Sequence, residues 1–272
     1  MNPRTNRPEL KPSSAQNGNY ASLHFVPNVP EENAALAARL ARIQSKLDQL
    51  RAADPALTLF GSDTHEYHLQ PALPPEAVSE WEKHLGVQLP DEYRLFVTLI
   101  GDGGAGPYYG LISLDGPDPE DLTQPELTRK PFRWTEAFNP YDWEDPCSQE
   151  DVWCDDEEDW PDEMLEADPD GRGEEAAQPP RQIILGVPGA LYICHCGCGI
   201  RFILVVNGQC RGEVWRDAQN DDAGLRPECD DRGRHLGFLD WYEQWLDGDL
   251  AKLGIQWQDL PVGLRNDDQG SS

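Results

Sequence analysis

A long acidic stretch in the middle of the chain limits which residues can build a hydrophobic core. Between Asp142 and Glu175, 17 side chains are acidic and one, Arg172, is basic. Three prolines interrupt the stretch, and its apolar residues follow no helix or strand period, as is typical of a solvated loop. We expect an acidic insertion over residues 140–180, set into an otherwise ordinary and mildly acidic domain.

The charge of the whole chain excludes several classes of partner. The chain has 22 Lys and Arg residues and 50 Asp and Glu residues, which gives a net charge of −28. Nucleic acids and anionic membranes attract basic surfaces, so we expect direct binding to neither. There is no stretch of 18 apolar residues, and the first 30 residues lack the apolar core of a secretory signal. The expected location is the cytoplasm, where the seven cysteines stay reduced.

The first regular element is predicted at 31–56, after a tail at 1–30 that is rich in Pro, Asn and Ser. Apolar residues recur there at spacings of four, three, four and three: Leu36, Leu40, Ile43, Leu47 and Leu50. This stripe predicts an amphipathic helix that packs on the domain. We expect the charged residues between these positions to form a solvated outer face: Arg39, Arg42, Lys46 and Asp48.

Three more helices are predicted from periodicity and from residues that begin or end helices. Helices near 75–86 and 91–100 are opened by proline or acidic residues and are ended by glycines. A closing helix is predicted near 238–250. We expect three residues of its apolar stripe to be largely buried against the sheet: Trp241, Trp245 and Leu246.

Runs of β-branched and aromatic residues predict the strands. They lie at 108–114, 182–196 and 200–215, and Asn207-Gly208 is the turn typical of a hairpin. Strands do not alternate with helices along the chain. The predicted fold class is therefore α+β, an antiparallel sheet with helices packed on one side. One domain is expected over 57–260, followed by a flexible tail at 261–272.

The side chains that could bind a metal or act as nucleophiles follow no catalytic motif. The run Cys194–Cys198, together with Cys210 and Cys229, offers enough ligands for zinc. The paired CxxC spacing is missing, however, and small buried cysteines of a core strand are the alternative. His65 and His68 are one residue too close for the paired histidines of a metalloprotease helix. We expect reduced thiols, no metal, no cofactor and no enzymatic activity.

Three motifs occur in a fixed order. The first, at 73–114, is LPPEAVSEWEKHLGVQLPDEYRLFVTLIGDGGAGPYYGLISL, in which a helix ends at glycine and Leu89-Pro90 precedes a second helix. The others are CGCGIRFILVVNGQCRGEVWRD, ending at Asp217, and FLDWYEQWLDGDL, which ends at Leu250. In this order they resemble the SUKH superfamily, which includes yeast cell-wall-assembly regulators of the Smi/Knr type and bacterial immunity proteins. The likeness covers about residues 70–253; the N-terminal helix and the acidic insertion depart from a minimal member.

The resemblance implies a protein-binding role without catalysis. Bacterial members of the family are often encoded beside toxins that they neutralise, and many such toxins are basic nucleases or deaminases. We therefore expect an immunity protein that binds and neutralises a basic bacterial toxin. The alternative is a regulatory scaffold that binds a host protein, as the cell-wall-assembly regulators do.

The partner-binding residues are predicted within the acidic insertion. Its charge would steer a basic partner, and its embedded tryptophans would supply affinity once desolvated. The predicted contacts are Trp153, Asp155, Asp156, Glu157, Glu158, Asp159 and Trp160. The alternative is a solvated spacer, in which case the partner surface lies on the sheet or on the glycine-rich turn at Asp102–Pro107.

Overall fold

The computed structural model of the chain describes residues 31–114, 124–139 and 186–256. These residues form helices and an antiparallel sheet of four strands, so the fold class is α+β, as predicted. The helices are α1 (Glu31–Ala53), α2 (Ser62–His65), α3 (Pro75–Leu85), α4 (Asp91–Leu99), α5 (Pro125–Arg129) and α6 (Phe238–Lys252). The strands are β1 (Ala190–Gly197), β2 (Ile200–Val205), β3 (Val214–Ala218) and β4 (Gly224–Pro227), adjacent in that order.

The predicted helices α3, α4 and α6 are all confirmed. Pro75 opens α3, and Gly86 ends it in a left-handed conformation with φ of 74°, its N–H bonded to the carbonyl of Glu82. A side chain at that φ would be strained, so glycine is the residue that allows this stop. The inward faces of α3 and α4 carry buried apolar residues: Val78, Leu85, Tyr93, Phe96 and Val97.

The apolar stripe of α1 is confirmed: Leu40, Ile43, Leu47 and Leu50 are buried, as the spacing predicts. The predicted solvated face holds for Arg42 and Asp48, which are exposed, but is wrong for Lys46, which is buried. The three basic side chains of this face reach across to α6. Arg39 and Arg42 each lie 2.8 Å from Glu243, and Lys46, only 5% exposed, lies 2.7 Å from Asp247. We call this set, with Asp240, the ion-pair seam; it fixes α1 against α6.

The predicted hairpin forms, because β2 pairs antiparallel with β3, but Asn207-Gly208 is not a tight two-residue turn. The tightest turn of the sheet is Cys198-Gly199 between β1 and β2, where φ is 51° and 78°. Two such values in succession suit the two-residue turns of hairpins. Asn207-Gly208 lies instead within a longer connection between β2 and β3, and Gly208 forms a bridge with Phe132. The strand predicted to start near residue 210 therefore begins only at Val214.

The prediction of a strand at 108–114 is wrong. Within it, only Leu111 forms β-bridges, to Gly104 and Cys194. Tyr108 and Gly110 take positive φ values of 53° and 95°, and this breaks the extended backbone that a strand requires. Residues 182–185 lie outside the described residues, and β4 was not predicted.

The sheet separates two apolar layers. Leu191, Phe202 and Val214 point into the larger core, which they share with the helices. Alternate residues point the other way, against Phe132, which covers the second face. Both outer strands are hydrogen-bonded to a further segment, β1 through Ile112 and β4 through Phe138. Within the described part of the chain, a partner strand therefore finds no long free edge on this sheet.

Candidate functional site

Exposed aromatic side chains gather at one place on the surface. Among the described residues, the exposed large apolar side chains are Phe60 (64%), Leu99 (44%), Tyr109 (42%) and Tyr108 (37%). The ring of Phe60 lies 6.1 Å from that of Tyr108 and 5.4 Å from that of Tyr109. We call these three side chains the rim aromatics. Clustered exposed rings of this kind are typical of binding surfaces, whereas single exposed ones are ordinary.

The glycine-rich turn sets the position of the rim aromatics. Buried Asp102 accepts hydrogen bonds from the Ser113 hydroxyl (2.6 Å) and the Leu114 N–H (2.8 Å), which closes the loop around the turn. Tyr108 follows the turn in a left-handed conformation, which costs a bulky residue about 1–3 kcal/mol. Gly61 lies directly beneath, where a Cβ would come within 1.8 Å of the Tyr108 carbonyl oxygen. The fold thus holds Tyr108 in a strained conformation with its ring outward.

A groove of about 440 Å³ opens beside the rim aromatics, which is within the usual size of binding sites. Its aromatic lining comes from four parts of the chain: Phe60 before α2, Tyr108 after the glycine-rich turn, Phe202 from β2, and Trp241 and Trp245 from α6. Phe202 and Trp241 are buried and form its floor, while Trp245 is half-buried. We call this cavity the aromatic groove. Trp245 packs against the core but is less completely buried than Trp241, so the prediction that both are largely buried is met less fully at Trp245.

The polar lining of the aromatic groove includes two carboxylates. Glu228 follows β4 and bonds Arg216 at 3.0 Å, while Asp249 of α6 bonds Lys252 at 2.8 Å. Burial raises the pKa of Glu228, and the nearby Arg216 does not fully offset this. A second cation nearby would stabilise the ionised form of a carboxylate whose charge is not fully compensated.

Gly248 lies in the interior of α6 and also lines the aromatic groove. Glycine there costs about 0.5–1 kcal/mol relative to alanine. A Cβ built at Gly248 meets no atom of the described residues within 4 Å. Packing within the described residues therefore gives no reason for this glycine, and the space beside it is open to the groove.

His65 supports the aromatic groove from behind. Its ring lies 6.0 Å from that of Trp245, and its Nδ1 accepts a hydrogen bond from the Tyr67 N–H at 3.0 Å. It also bonds the backbone of Gly106, and burial lowers its pKa, so the ring is neutral at pH 7. This is a positioning role, because His65 ties α2 to the glycine-rich turn.

The cysteines lie on different sides of the sheet. Cys194 is in the core shared with the helices, and Cys210 is in the layer on the opposite face, so the two thiols cannot share a metal ion. Burial raises the pKa of Cys194 well above its ordinary value and that of Cys196 to about 12, which keeps both thiols protonated. Across residues 31–114, 124–139 and 186–256, no three His, Cys, Asp or Glu side chains are placed to hold a metal ion.

The residues predicted to contact the partner lie outside the described residues: Trp153, Asp155, Asp156, Glu157, Glu158, Asp159 and Trp160. Their role stays a prediction. The alternative surface named from the sequence, the turn at Asp102–Pro107, borders the aromatic groove through Pro107. Phe60 was not predicted, and Trp241 and Trp245 were assigned to the core, with a partner site as the alternative for Trp245. A helix-interior glycine beside Trp245 was the one signal in the sequence that pointed to an open surface.

Comparison with protein-family models, curated proteins and solved structures found no match for this chain. Within the part of the chain that the structure describes, no helix is both long and apolar enough to cross a membrane.

Proposed function

We propose that this chain is a non-enzymatic protein-binding module that presents the aromatic groove to a basic partner protein. In the cytoplasm it would act as an immunity protein that neutralises a bacterial toxin. The observation that carries the proposal is the clustering of Phe60, Tyr108 and Tyr109 at the rim of the groove. Exposed rings, one of them on the strained backbone of Tyr108, are of little use to the fold itself, but they supply affinity when a partner desolvates them.

The charge of the chain supports a basic partner. A net charge of −28 accelerates encounter with a basic protein and slows encounter with an acidic one. The toxin-neutralising role rests on the resemblance of the three sequence motifs to the SUKH superfamily. The covered edges of the sheet support side-chain recognition over strand addition as the mode of binding.

The proposal is tested by co-expressing the chain with the product of the neighbouring gene and measuring host survival and binding. We expect a Phe60→Ser/Tyr109→Ser variant to lose protection and to bind roughly tenfold or more weakly, because it removes two exposed rings. The control is Leu99→Ser, which removes an apolar side chain that is about as exposed as Tyr109 but does not line the groove. Unfolding midpoints establish that both variants are folded.

Equal binding by the two variants would contradict the proposal that the rim aromatics contact the partner. Binding without any protection of the host would favour the alternative, a regulatory scaffold, over an immunity protein.

A further inference from the structure

The aromatic groove combines ring faces with carboxylates, and this combination selects one kind of side chain. We infer that the groove receives an arginine side chain of the partner, its guanidinium lying against Tyr108 and Trp245 and paired with Glu228 or Asp249. This inference rests on the proposed function, because it names the group that a basic protein partner inserts.

Both carboxylates can accept a new cation at low cost. The side chain of Glu228 is 20% exposed, and the raised pKa caused by burial means that Arg216 alone leaves its charge incompletely stabilised. Asp249 is 5% exposed, but its partner Lys252 is 64% exposed and lies only three residues further along α6. Lys252 itself lines the groove, and because its own side chain is largely in water it can move aside when another cation reaches Asp249.

An apolar side chain fits the groove less well than an arginine. It would cover Glu228 and Asp249 without bringing a positive charge, and burying carboxylates that way is costly. A guanidinium, in contrast, offers a flat apolar face to the rings and donors to the carboxylates at its edge.

The protein already contains this arrangement next to the groove. The guanidinium carbon of Arg216 lies 5.3 Å from the centre of the Phe202 ring, and its nitrogens bond Glu228. Phe202 and Glu228 both line the aromatic groove. A ring, a carboxylate and a guanidinium therefore fit together at this place.

Gly248 provides the access that such a side chain needs. It lines the groove between Trp245 and Asp249 on α6, and the space where its side chain would stand is empty of the atoms of the described residues. A larger residue there would project into the opening. It would also stabilise α6, because glycine is a poor helix former.

The test uses two short peptides, acetyl-Gly-Gly-Arg-Gly-Gly-amide and the same peptide with citrulline, an uncharged arginine of nearly equal shape. Each is titrated into the full chain at low salt while the indole N–H signals of Trp241 and Trp245 are followed by NMR. We expect saturable shifts of these signals with the arginine peptide and roughly tenfold weaker binding of the citrulline peptide.

Three variants decide whether the groove is the site. Glu228→Gln should weaken binding of the arginine peptide several-fold. Glu80 is an exposed carboxylate of α3 that does not line the groove, so Glu80→Gln should leave this binding unchanged. Gly248→Leu should abolish binding with an unfolding midpoint no lower than that of the native chain.

Equal binding of the two peptides would overturn the inference, and so would undiminished binding by folded Gly248→Leu. Either result leaves the proposed function standing if the Phe60→Ser/Tyr109→Ser variant still loses the partner. Conversely, the groove could bind the arginine peptide specifically while the partner binds the Phe60→Ser/Tyr109→Ser variant as tightly as the native chain. That pair of results would contradict the proposed function alone.

Discussion

Trp241 and Trp245 occupy equivalent positions in the sequence pattern of α6, yet their environments differ. Trp241 is 4% exposed and packs on Phe202, with ring centres 5.1 Å apart. Trp245 lies four residues later on the same stripe, but it is half-buried and borders the aromatic groove. Periodicity identifies the side of a helix that faces the protein. It does not show how far the covering elements extend along that side.

This difference predicts unequal costs when the two rings are removed. Trp241→Ala should lower the free energy of unfolding by about 3–5 kcal/mol, because it leaves a cavity in the core. Trp245→Ala should cost clearly less, because part of the ring is already in water, and should weaken partner binding more. Urea unfolding at pH 7 measures the first effect. A loss for Trp245→Ala as large as that for Trp241→Ala would place Trp245 in the core after all.

At the scale of whole elements too, local periodicity does not show which distant segments an element contacts. The spacing of Leu40, Ile43, Leu47 and Leu50 was enough to predict α1 and its buried stripe. The partner of its charged residues is Glu243, about 200 positions away, which no local pattern reveals. The longer helices were predicted well because their apolar period and their terminal residues are local features, whereas the short helices α2 and α5 were not predicted.

The strands were predicted less well for an equally physical reason. Tyr108–Leu114 has the composition of a strand, but Gly110 allows a positive φ that breaks it. β4 contains Gly224 and Pro227, both disfavoured in strands, and it forms because β3 pairs with it. Asn207-Gly208 has the residues of a tight turn, but Cys198-Gly199 takes that role. Which segments form strands and tight turns therefore depends on pairing between distant parts of the chain, and local composition does not show this pairing.

The ion-pair seam between α1 and α6 predicts a pH dependence of stability. Burial alone would raise the pKa of Glu243, but hydrogen bonds from Arg42, Arg39 and Lys46 lower it to about 2. A carboxyl whose pKa is lowered by folding stabilises the protein fully above its ordinary pKa of about 4.5. That contribution is lost as the pH falls from about 4.5 towards 2.

Glu243→Gln removes this contribution and is its test. At pH 7 we expect the variant to lose on the order of 3 kcal/mol of unfolding free energy, because the side chain is only 10% exposed and little screened. The difference from the native chain should shrink steadily as the pH is lowered from 5 to 3. Glu80→Gln serves as the control, since its exposed carboxyl should change stability little at any pH. A difference that stayed constant with pH would mean that the seam contributes through packing rather than charge.

At the scale of the whole molecule, charge and aromatic surface have different distributions. The acidic insertion between Asp142 and Glu175 carries 17 acidic side chains against one basic, a net of −16 within the total of −28. The aromatic groove carries carboxylates that are already paired with Arg216 and Lys252. Long-range attraction of a basic partner should therefore arise mainly from the insertion, and short-range affinity from the groove.

This division of roles predicts separate kinetic effects for the two regions. Changing Asp155, Asp156, Glu157 and Glu158 to Ser should slow association and make it less sensitive to salt, with little effect on folding. Steered association reaches about 10⁸–10⁹ M⁻¹s⁻¹ at low salt, against about 10⁵–10⁶ for neutral surfaces, so the effect is large enough to measure. Phe60→Ser/Tyr109→Ser should instead mainly raise the dissociation rate, because it removes contacts made only in the complex.

Trp153 and Trp160 decide whether the insertion also touches the partner. If its tryptophans are anchors, as the sequence predicts, Trp153→Ala and Trp160→Ala should raise the dissociation rate, as removal of the rim aromatics does. If the insertion acts only through its charge, both variants should bind like the native chain while the serine variant still associates slowly. Stopped-flow association and dissociation at several salt concentrations, where the Debye length shrinks from about 30 Å at 0.01 M to about 8 Å at 0.15 M, separates these outcomes. If deletion of residues 148–175 left both rates and toxin protection intact, the insertion would be a spacer and recognition would rest on the aromatic groove.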